Sequence, residues 1–288
     1  MTLAPGISLR DATADDLPAI VGLREAVDWR GHEWAMRAAI GQPDAVFVLA
    51  HDADGGLVAM GSGIAYPPAL GFIGNMVVAE PHRRKGIGSA ILDAVVDRLA
   101  ASGCSRFELN ATDEGRPLYE RHGFTSRGVS TAAGISRRTI GRLGPARAAR
   151  PMVPADAGRL AEYDRPRFGG DRSRLLGLLA TAGIARGFVV EDDGALAGFA
   201  FLQHEEQRIG PLVADTPEVA AGLVAAVFEA EPGIADLRLN LAPGNIDGAA
   251  WLKGARVATA GWHGRMARGP DVPRDDGTIY QMTVGPLG

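Results

Sequence analysis

An α/β architecture built twice in tandem is the fold class this sequence predicts, on three observations. Apolar runs short enough for strands alternate along the chain with segments of period 3.6 that read as helices. At 288 residues the chain is long for one domain and comfortable for two, each able to bury a core. Landmarks of the first half also return in the second. Ala14-Asp15 is echoed by Ala155-Asp156 and Phe47-Val48-Leu49 by Phe188-Val189-Val190, both offset by 141 (155 − 14 and 188 − 47). Ala59-Met60-Gly61 and Leu196-Ala197-Gly198 stay near that offset. Ile73-Gly74 then returns at 136 (209 − 73) and Leu109-Asn110 at 130 (240 − 110). An internal duplication is the economical reading.

In chain order, residues 7–10 read as a first strand. Thr13, followed by Asp15 and Asp16, caps a helix expected to reach about Val27. Residues 28–34 (DWRGHEW) break at Gly31 and resume as a second helix to Ile40. Residues 46–50, the turn HDADGG and residues 57–66 read as a hairpin that Pro67 and Pro68 close. The apolar run 72–78 is a strand. The helix after it carries Ile87, Ile91, Val95 and Leu99 on one stripe. A strand at 106–110, a short helix within 115–124 and a strand to about Ile135 follow, and residues 136–151 have linker composition. The expected division is a domain at 1–138, a linker at 139–149 and a second domain at 150–288.

Composition removes several classes of function. A formal net charge of −4 argues against a general nucleic-acid binder, which must neutralise phosphates over a broad basic face. No apolar run approaches membrane-spanning length, and the opening MTLAPGISLR lacks a basic-then-apolar export pattern, so a cytoplasmic setting is expected. Cys104 is the only cysteine, which suits a reducing compartment. The six histidines lack ligand spacing, so no metal is expected.

Chemistry concentrates in residues 71–100, where Arg83, Arg84 and Lys85 precede Gly86 and Gly88 at the opening of a helix. Helix N-terminal amides are unpaired donors with partial positive charge, and glycines let an anion approach them, so this is a phosphate seat. A Walker A loop would place its lysine after the last glycine. A dinucleotide fingerprint would need a third glycine where Ile91 stands. RRKGIG instead resembles the acetyl-CoA loop of the GNAT superfamily of N-acetyltransferases, and RFELN (106–110) with GRPLYERHGF (115–124) resembles the other half of that core. The resemblance covers about residues 7–136.

That resemblance implies, in each copy, a mixed and mostly antiparallel sheet with a splayed parallel pair and flanking helices. Acetyl-CoA would enter between strands 72–78 and 106–110, its pyrophosphate at Arg83, Arg84, Lys85, Gly86, Ile87, Gly88 and Ser89. Its pantetheine would run along Met76, Val77 and Val78. A backbone N–H near Asn75 or Met76 would polarise the thioester carbonyl, and Asn110 would hold a relaying water or cap a turn. Tyr119 matches the family's general acid. The central strand offers no carboxylate before Glu80, so Asp28 and Glu33 are the candidate bases or acceptor ligands. Trp29, His32, Trp34 and Asn75 would line the acceptor pocket, where tryptophans beside acids suit a cationic amine. The alternative is that the tryptophans pack the core and the acids are solvated. Cys104 has no histidine partner pattern, which favours direct attack of the amine in a ternary complex over a covalent intermediate.

The second copy reads IGPLVADTPEVAAG where the loop should be, six residues shorter (136 − 130), without cations or paired glycines and with Asp215 and Glu218. It is not expected to hold CoA. It resembles the degenerate C-terminal domain of tandem GNAT proteins of the YitH type, including RFGGDR at 167–172, where Asp171 and Arg172 would cap a helix or border the cleft, capping being favoured. Its role would be to complete the acceptor cleft or to form a homodimer surface. The function expected is acetyl transfer from acetyl-CoA to a primary amine of a small molecule, with a protein amine, or a non-catalytic acyl-CoA sensor, as alternatives.

Overall fold

The computed structural model describes residues 5–181, 183–203, 208–282 and 287. Two compact units emerge: Met1–Thr125 with Met266–Asp271 and Gly285–Gly288, and Ser126–Arg265 with Val272–Val284.

In the first unit the order is β1 (Ser8–Asp11), α1 (Leu17–Glu25), α2 (Glu33–Ala39), β2 (Ala45–His51), β3 (Leu57–Tyr66), β4 (Leu70–Val78), α3 (Ile87–Ala101), β5 (Arg106–Ala111) and α4 (Arg116–Arg121). β1 to β4 form an antiparallel meander, and β5 joins β4 in parallel. A parallel pair needs a crossover, and α3 is that crossover. Its stripe of Ile87, Ile91, Val95 and Leu99 is buried on the sheet, as the period predicts. Gly61 and Gly63 of β3 let it sit close. A Cβ at Gly61 would stand 2.5 Å from Ile91 and one at Gly63 2.7 Å from Leu99.

The remaining elements are β6 (Thr125–Ser136), β7 (Ala149–Pro151), α5 (Asp156–Phe168), α6 (Ser173–Thr181), β8 (Ala185–Asp192), β9 (Ala195–Gln203), β10 (Arg208–Ala214), α7 (Pro217–Ala230), β11 (Asp236–Leu241), α8 (Ile246–Gly254), β12 (Thr259–Arg268) and β13 (Ile279–Gln281). β7 to β10 repeat the antiparallel meander, with α7 as its crossover helix. The echoed landmarks therefore fall on equivalent strands: 47–49 on β2 and 188–190 on β8, 109–110 on β5 and 239–240 on β11.

The compact units do not follow the repeat boundary. β6, a first-repeat strand by sequence, pairs antiparallel with β11, and its Ala133 and Ile135 are buried in the core of the second unit. Residues 137–143, within the stretch of linker composition, wind into a 3-10 helix whose Leu143 enters that same core. Arg137 donates to the carbonyls of Phe228 and Glu231 (both 2.6 Å) and Ile234 (2.9 Å), satisfying acceptors at the C-terminus of α7. In exchange, the end of β12 and the turn after it, Met266–Asp271, belong to the first unit.

In RFGGDR, Asp171 accepts from the Ser173 amide at the start of α6, as expected of a cap. Arg172 stands at the N-cap position, its carbonyl accepting from the Leu176 amide at 3.0 Å, while its side chain turns inward. It is buried, bidentate on Asp164 at 2.7 and 2.8 Å, with its guanidinium over the Phe168 ring. Among the described residues no helix is long and apolar enough to cross a membrane, and no cluster of His, Cys, Asp and Glu could hold a metal ion.

Candidate active site

The register of β4 and β5 defines the site. They pair from Leu70↔Arg106 to Ile73↔Leu109 and no further, so the strands part at Gly74 and Asn110 and leave the last turns of β4 with an open edge. A bulge coincides with the fork. Met60 faces Val77 and Ser62 faces Gly74, so Gly61 opposes both Asn75 and Met76. Asn75 takes φ 51, a left-handed conformation that asparagine tolerates better than most residues, and the bulge withdraws its backbone from the ladder.

Two carboxamides flank the fork. Asn75 is 5% exposed and donates its Nδ2 to Ser62 Oγ at 3.0 Å, which leaves Oδ1 buried without a partner among the described residues. Asn110 Oδ1 is likewise buried and unpartnered. Orphaned buried acceptors are rare because each forfeits its hydration, and here two bracket one gap.

Below the fork the chain turns into α3. Arg84 (φ 60) and Gly86 (φ 79) are both left-handed, a turn of the kind that gathers N–H groups into a concave anion seat, and Gly86 is the N-cap of α3. Arg83 is engaged, donating Nε to the Val78 carbonyl (3.1 Å) and pairing with Glu114 (3.1 Å); Arg84 and Lys85 are exposed, and Ser89 is buried. A Cβ on Gly88 would meet Leu118 at 3.5 Å and Val78 at 3.6 Å, ordinary contacts, so internal packing does not demand glycine there. Those distances also place the end of β4, the first turn of α3 and the middle of α4 against one another.

Tyr119 follows Leu118 on α4. It is 7% exposed, its ring stands edge-on to Phe124 at 6.0 Å, and burial pushes its phenol up to about 12, so it is a neutral proton donor at ordinary pH. Cys104 is buried with its thiol raised to about 11 by the same cause, consistent with an inert packing residue.

The acceptor candidates differ in exposure. Trp34 is buried at 9% exposure, with an indole N–H unpartnered among the described residues. Trp29 is 38% exposed and Asp28 (φ 59) is exposed beside it. Glu33 is exposed on α2 and paired with Arg37 at 2.5 Å. His32 (φ 63) is the N-cap residue of α2. Sequence reasoning missed Ser62, which orients Asn75, and the buried carboxylate of Glu108. Glu108 is fully buried on β5 opposite Phe72 and is paired with Arg106 at 2.9 Å. Its signal was present in the alternation Arg106, Glu108, Asn110, which puts three polar residues on one strand face.

The residues fit a CoA thioester. The open edge of Met76 to Val78 can pair with an amide-bearing arm, the turn at 84–88 can seat a pyrophosphate, and the bulge presents an unladdered backbone beside the thioester.

Comparison with known proteins agrees. The profile of the Acetyltransferase (GNAT) family matches residues 9–124, and that of an Acetyltransferase (GNAT) domain matches residues 160–281. An uncharacterized N-acetyltransferase, YitH of Bacillus subtilis, is 27% identical over 168 residues, 56% of this chain and 57% of that protein, so the match spans little more than half of the curated relative. A crystal structure of a putative acetyltransferase from Pyrococcus horikoshii superposes with TM-score 0.81 at 23% identity, covering 100% of this chain and 98% of that one. A tandem GNAT protein from the clavulanic acid biosynthesis pathway gives TM-score 0.64 at 13% identity, covering 92% and 99%. At such identities the two solved structures speak to the fold.

Proposed function

The chain belongs to the GNAT acetyltransferase family as a tandem of two such domains, and on that premise we propose that it transfers an acetyl group from acetyl-CoA to a primary amine of a small molecule. On this reading the first repeat (residues 1–138) is catalytic, the stretch 139–149 joins the copies, and the second repeat (150–288) is a degenerate partner. The observation that carries the reading is the fork after Ile73↔Leu109, with its bulge at Asn75 and a glycine-opened helix beneath it.

Acetyl-CoA, when bound, supplies an acyl group activated as a thioester. Gly86, Ile87, Gly88 and Ser89 would present amides to its pyrophosphate, with Arg84 and Lys85 adding exposed positive charge and Arg83 tying the loop to β4. Met76, Val77 and Val78 would offer the open strand edge. The backbone at Asn75 and Met76, freed from the ladder, would donate to the carbonyl oxygen as negative charge develops there. Asn75 Oδ1, fixed by Ser62, would accept from the incoming amine. Tyr119, neutral to about pH 12, would hand its proton to the departing thiolate. Asp28 and Glu33, with Trp29, His32 and Trp34, would attract and lodge a cationic amine. Glu33, exposed and already paired with Arg37, suits that Coulombic role better than a desolvated base.

The test is thiol release from acetyl-CoA over a panel of small primary amines and lysine peptides, with Tyr119→Phe beside the unaltered chain. Turnover with a small amine that Tyr119→Phe lowers on the order of a hundredfold supports the reading. Tight acetyl-CoA binding with no turnover on any amine would establish a sensor instead, and turnover on peptides alone a protein acetyltransferase.

A further inference from the structure

We infer that Met266–Asp271, a stretch of the second repeat, is a working part of the first unit's transfer site, and that Arg268 within it is the positioning residue for the Tyr119 helix. The inference rests on the reading of Tyr119 above. α4 spans six residues, too few to hold an orientation by itself, so the direction of the Tyr119 phenol must be imposed from outside the helix. Part of the constraint is local: the Tyr119 carbonyl accepts from the amides of His122 and Phe124, both at 3.0 Å, folding the turn back on the helix end. The other part is Arg268. Its Nη1 donates to the His122 carbonyl at 3.1 Å, and its guanidinium lies 5.1 Å from the Phe107 ring centroid and 5.4 Å from that of Phe124. Phe124 is the ring against which Tyr119 packs edge-on. A cation over those rings, bonded to the carbonyl between them, links β5, the turn and the Tyr119 ring.

The segment that carries Arg268 is fastened on both sides. Met266 is buried in the same core as Phe107, Tyr119 and Phe124, and Thr125 Oγ1 donates to the Ala267 carbonyl at 3.3 Å. Beyond it, the buried Arg106 of β5 donates to the Gly269 carbonyl at 3.1 Å and pairs with Asp271 at 2.7 Å. Gly269 (φ 95) passes so close to β5 that a Cβ would stand 2.0 Å from the Ser105 carbonyl oxygen, so no other residue fits. A stretch held this tightly is a fixed wall, and Arg268 projects from it onto the helix end.

The test labels the four tyrosines of the full-length chain with 3-fluorotyrosine and reads their fluorine resonances, using Tyr119→Phe to identify that of Tyr119. Arg268→Ala is expected to shift the Tyr119 resonance and lower its titration midpoint while the Tyr163 and Tyr280 resonances stay in place, and Arg268→Lys is expected to restore the position part-way. With spermidine, glucosamine and phenethylamine as acceptors, Arg268→Ala should lower kcat about tenfold and leave the acetyl-CoA KM within about twofold. The double variant Arg268→Ala with Tyr119→Phe should be no slower than Tyr119→Phe alone, because a residue acting through another adds nothing once that other is gone. A Tyr119 resonance unmoved by Arg268→Ala overturns the inference whatever the turnover, as does an equal shift of every tyrosine, or a double variant slowed by the product of the two single effects. Undiminished turnover in Tyr119→Phe with a displaced resonance in Arg268→Ala would remove the acid role of Tyr119 and leave the brace standing.

Discussion

In the first repeat β4 and β5 part after Ile73 and Leu109, and among the described residues no strand fills the gap between them; in the second the equivalent strands, β10 and β11, are held apart by a strand of the chain itself. β13 pairs antiparallel with β10 (Leu212↔Gln281, Val213↔Ile279) and parallel with β11 (Asn240↔Gln281). The Gln281 side chain adds an acceptor for the Asn240 amide at 2.6 Å, and Ile279, Tyr280 and Gln281 are all buried. A fork that neither binds a ligand nor admits water would leave a row of strand N–H and C=O groups buried and unpaired, and β13 removes that cost in the second copy. The comparison teaches that the second copy lost more than a loop. On the proposed reading, its missing cations and glycines disfavour a phosphate, and β13 occupies the strand edges along which a cofactor arm would pair.

The largest effect expected concerns the strand that fills the second fork. Tyr280 is 1% exposed and packs edge-on to Trp251 at 5.7 Å, so Tyr280→Ala should cost about 3–5 kcal/mol in denaturant unfolding. A loss below about 1 kcal/mol would mean that β13 is a loose strap and that the two forks differ less than their pairing implies. Next in size, Gly88→Glu leaves packing nearly untouched, because a Cβ fits there, yet places a carboxylate where the pyrophosphate would sit. Calorimetry should show acetyl-CoA binding weakened at least about a hundredfold with the melting temperature little changed. The reciprocal experiment grafts RRKGIG into the second copy between Ala214 and Pro217. It should create no second acetyl-CoA site, since β13 still fills that fork; a stoichiometry of two per chain would break the comparison.

What the sequence disclosed follows from what leaves a periodic trace. The helical stripe of α3, the apolar runs of β2 and β3 around their turn, and the loop with its two glycines are local patterns, and each lies where the sequence places it. Tyr119 was legible from the Tyr–x–x–x–Gly–Phe context, although its burial was not. β13 was invisible, because three residues carry no period and the residues on both sides of it in the sheet are distant in sequence. The traded strands were invisible for a different reason. Ala133 and Ile135 give β6 an inward face that is equally apolar whichever core receives it, so the pattern names the face and not the partner. The bulge at Asn75 depends on one residue in excess over Met60–Ser62 of β3, a count that exists only once register is set.

Alkaline titration sharpens the comparison through the tyrosines of the two units. Burial raises all three of Tyr119, Tyr163 and Tyr280, Tyr119 to about 12 and the two second-unit phenols further still. The folded state thus holds the Tyr119 proton more tightly than the unfolded chain, whose phenol ionises near 10. Its stabilising contribution is complete below about pH 10 and is lost as pH rises through about 12, on the order of a few kcal/mol. Tyr119→Phe should therefore flatten the fall of stability between pH 10 and 12. In the unaltered chain Tyr119 should ionise before Tyr163 and Tyr280, followed by absorbance of the phenolates. Ionisation of Tyr119 at an ordinary phenol value would show an open, hydrated site and a poorer match to thiolate protonation.

The smallest effect belongs to the exposed cations. Arg84 and Lys85 stand in solvent at the rim of the phosphate seat, where charge is screened, so each should contribute no more than about 1 kcal/mol to acetyl-CoA binding. Arg84→Ala should raise the Kd about fivefold at low ionic strength and by less than about twofold in 0.5 M salt. Arg83→Ala should behave differently. Its guanidinium joins the Val78 carbonyl to Glu114 across the loop, so its loss loosens the edge along which the cofactor arm would pair, and salt does not restore that edge. A salt-independent penalty for Arg83→Ala beside a salt-sensitive one for Arg84→Ala would separate shape from charge in the first fork, and equal salt slopes would show that both arginines act only through their charge.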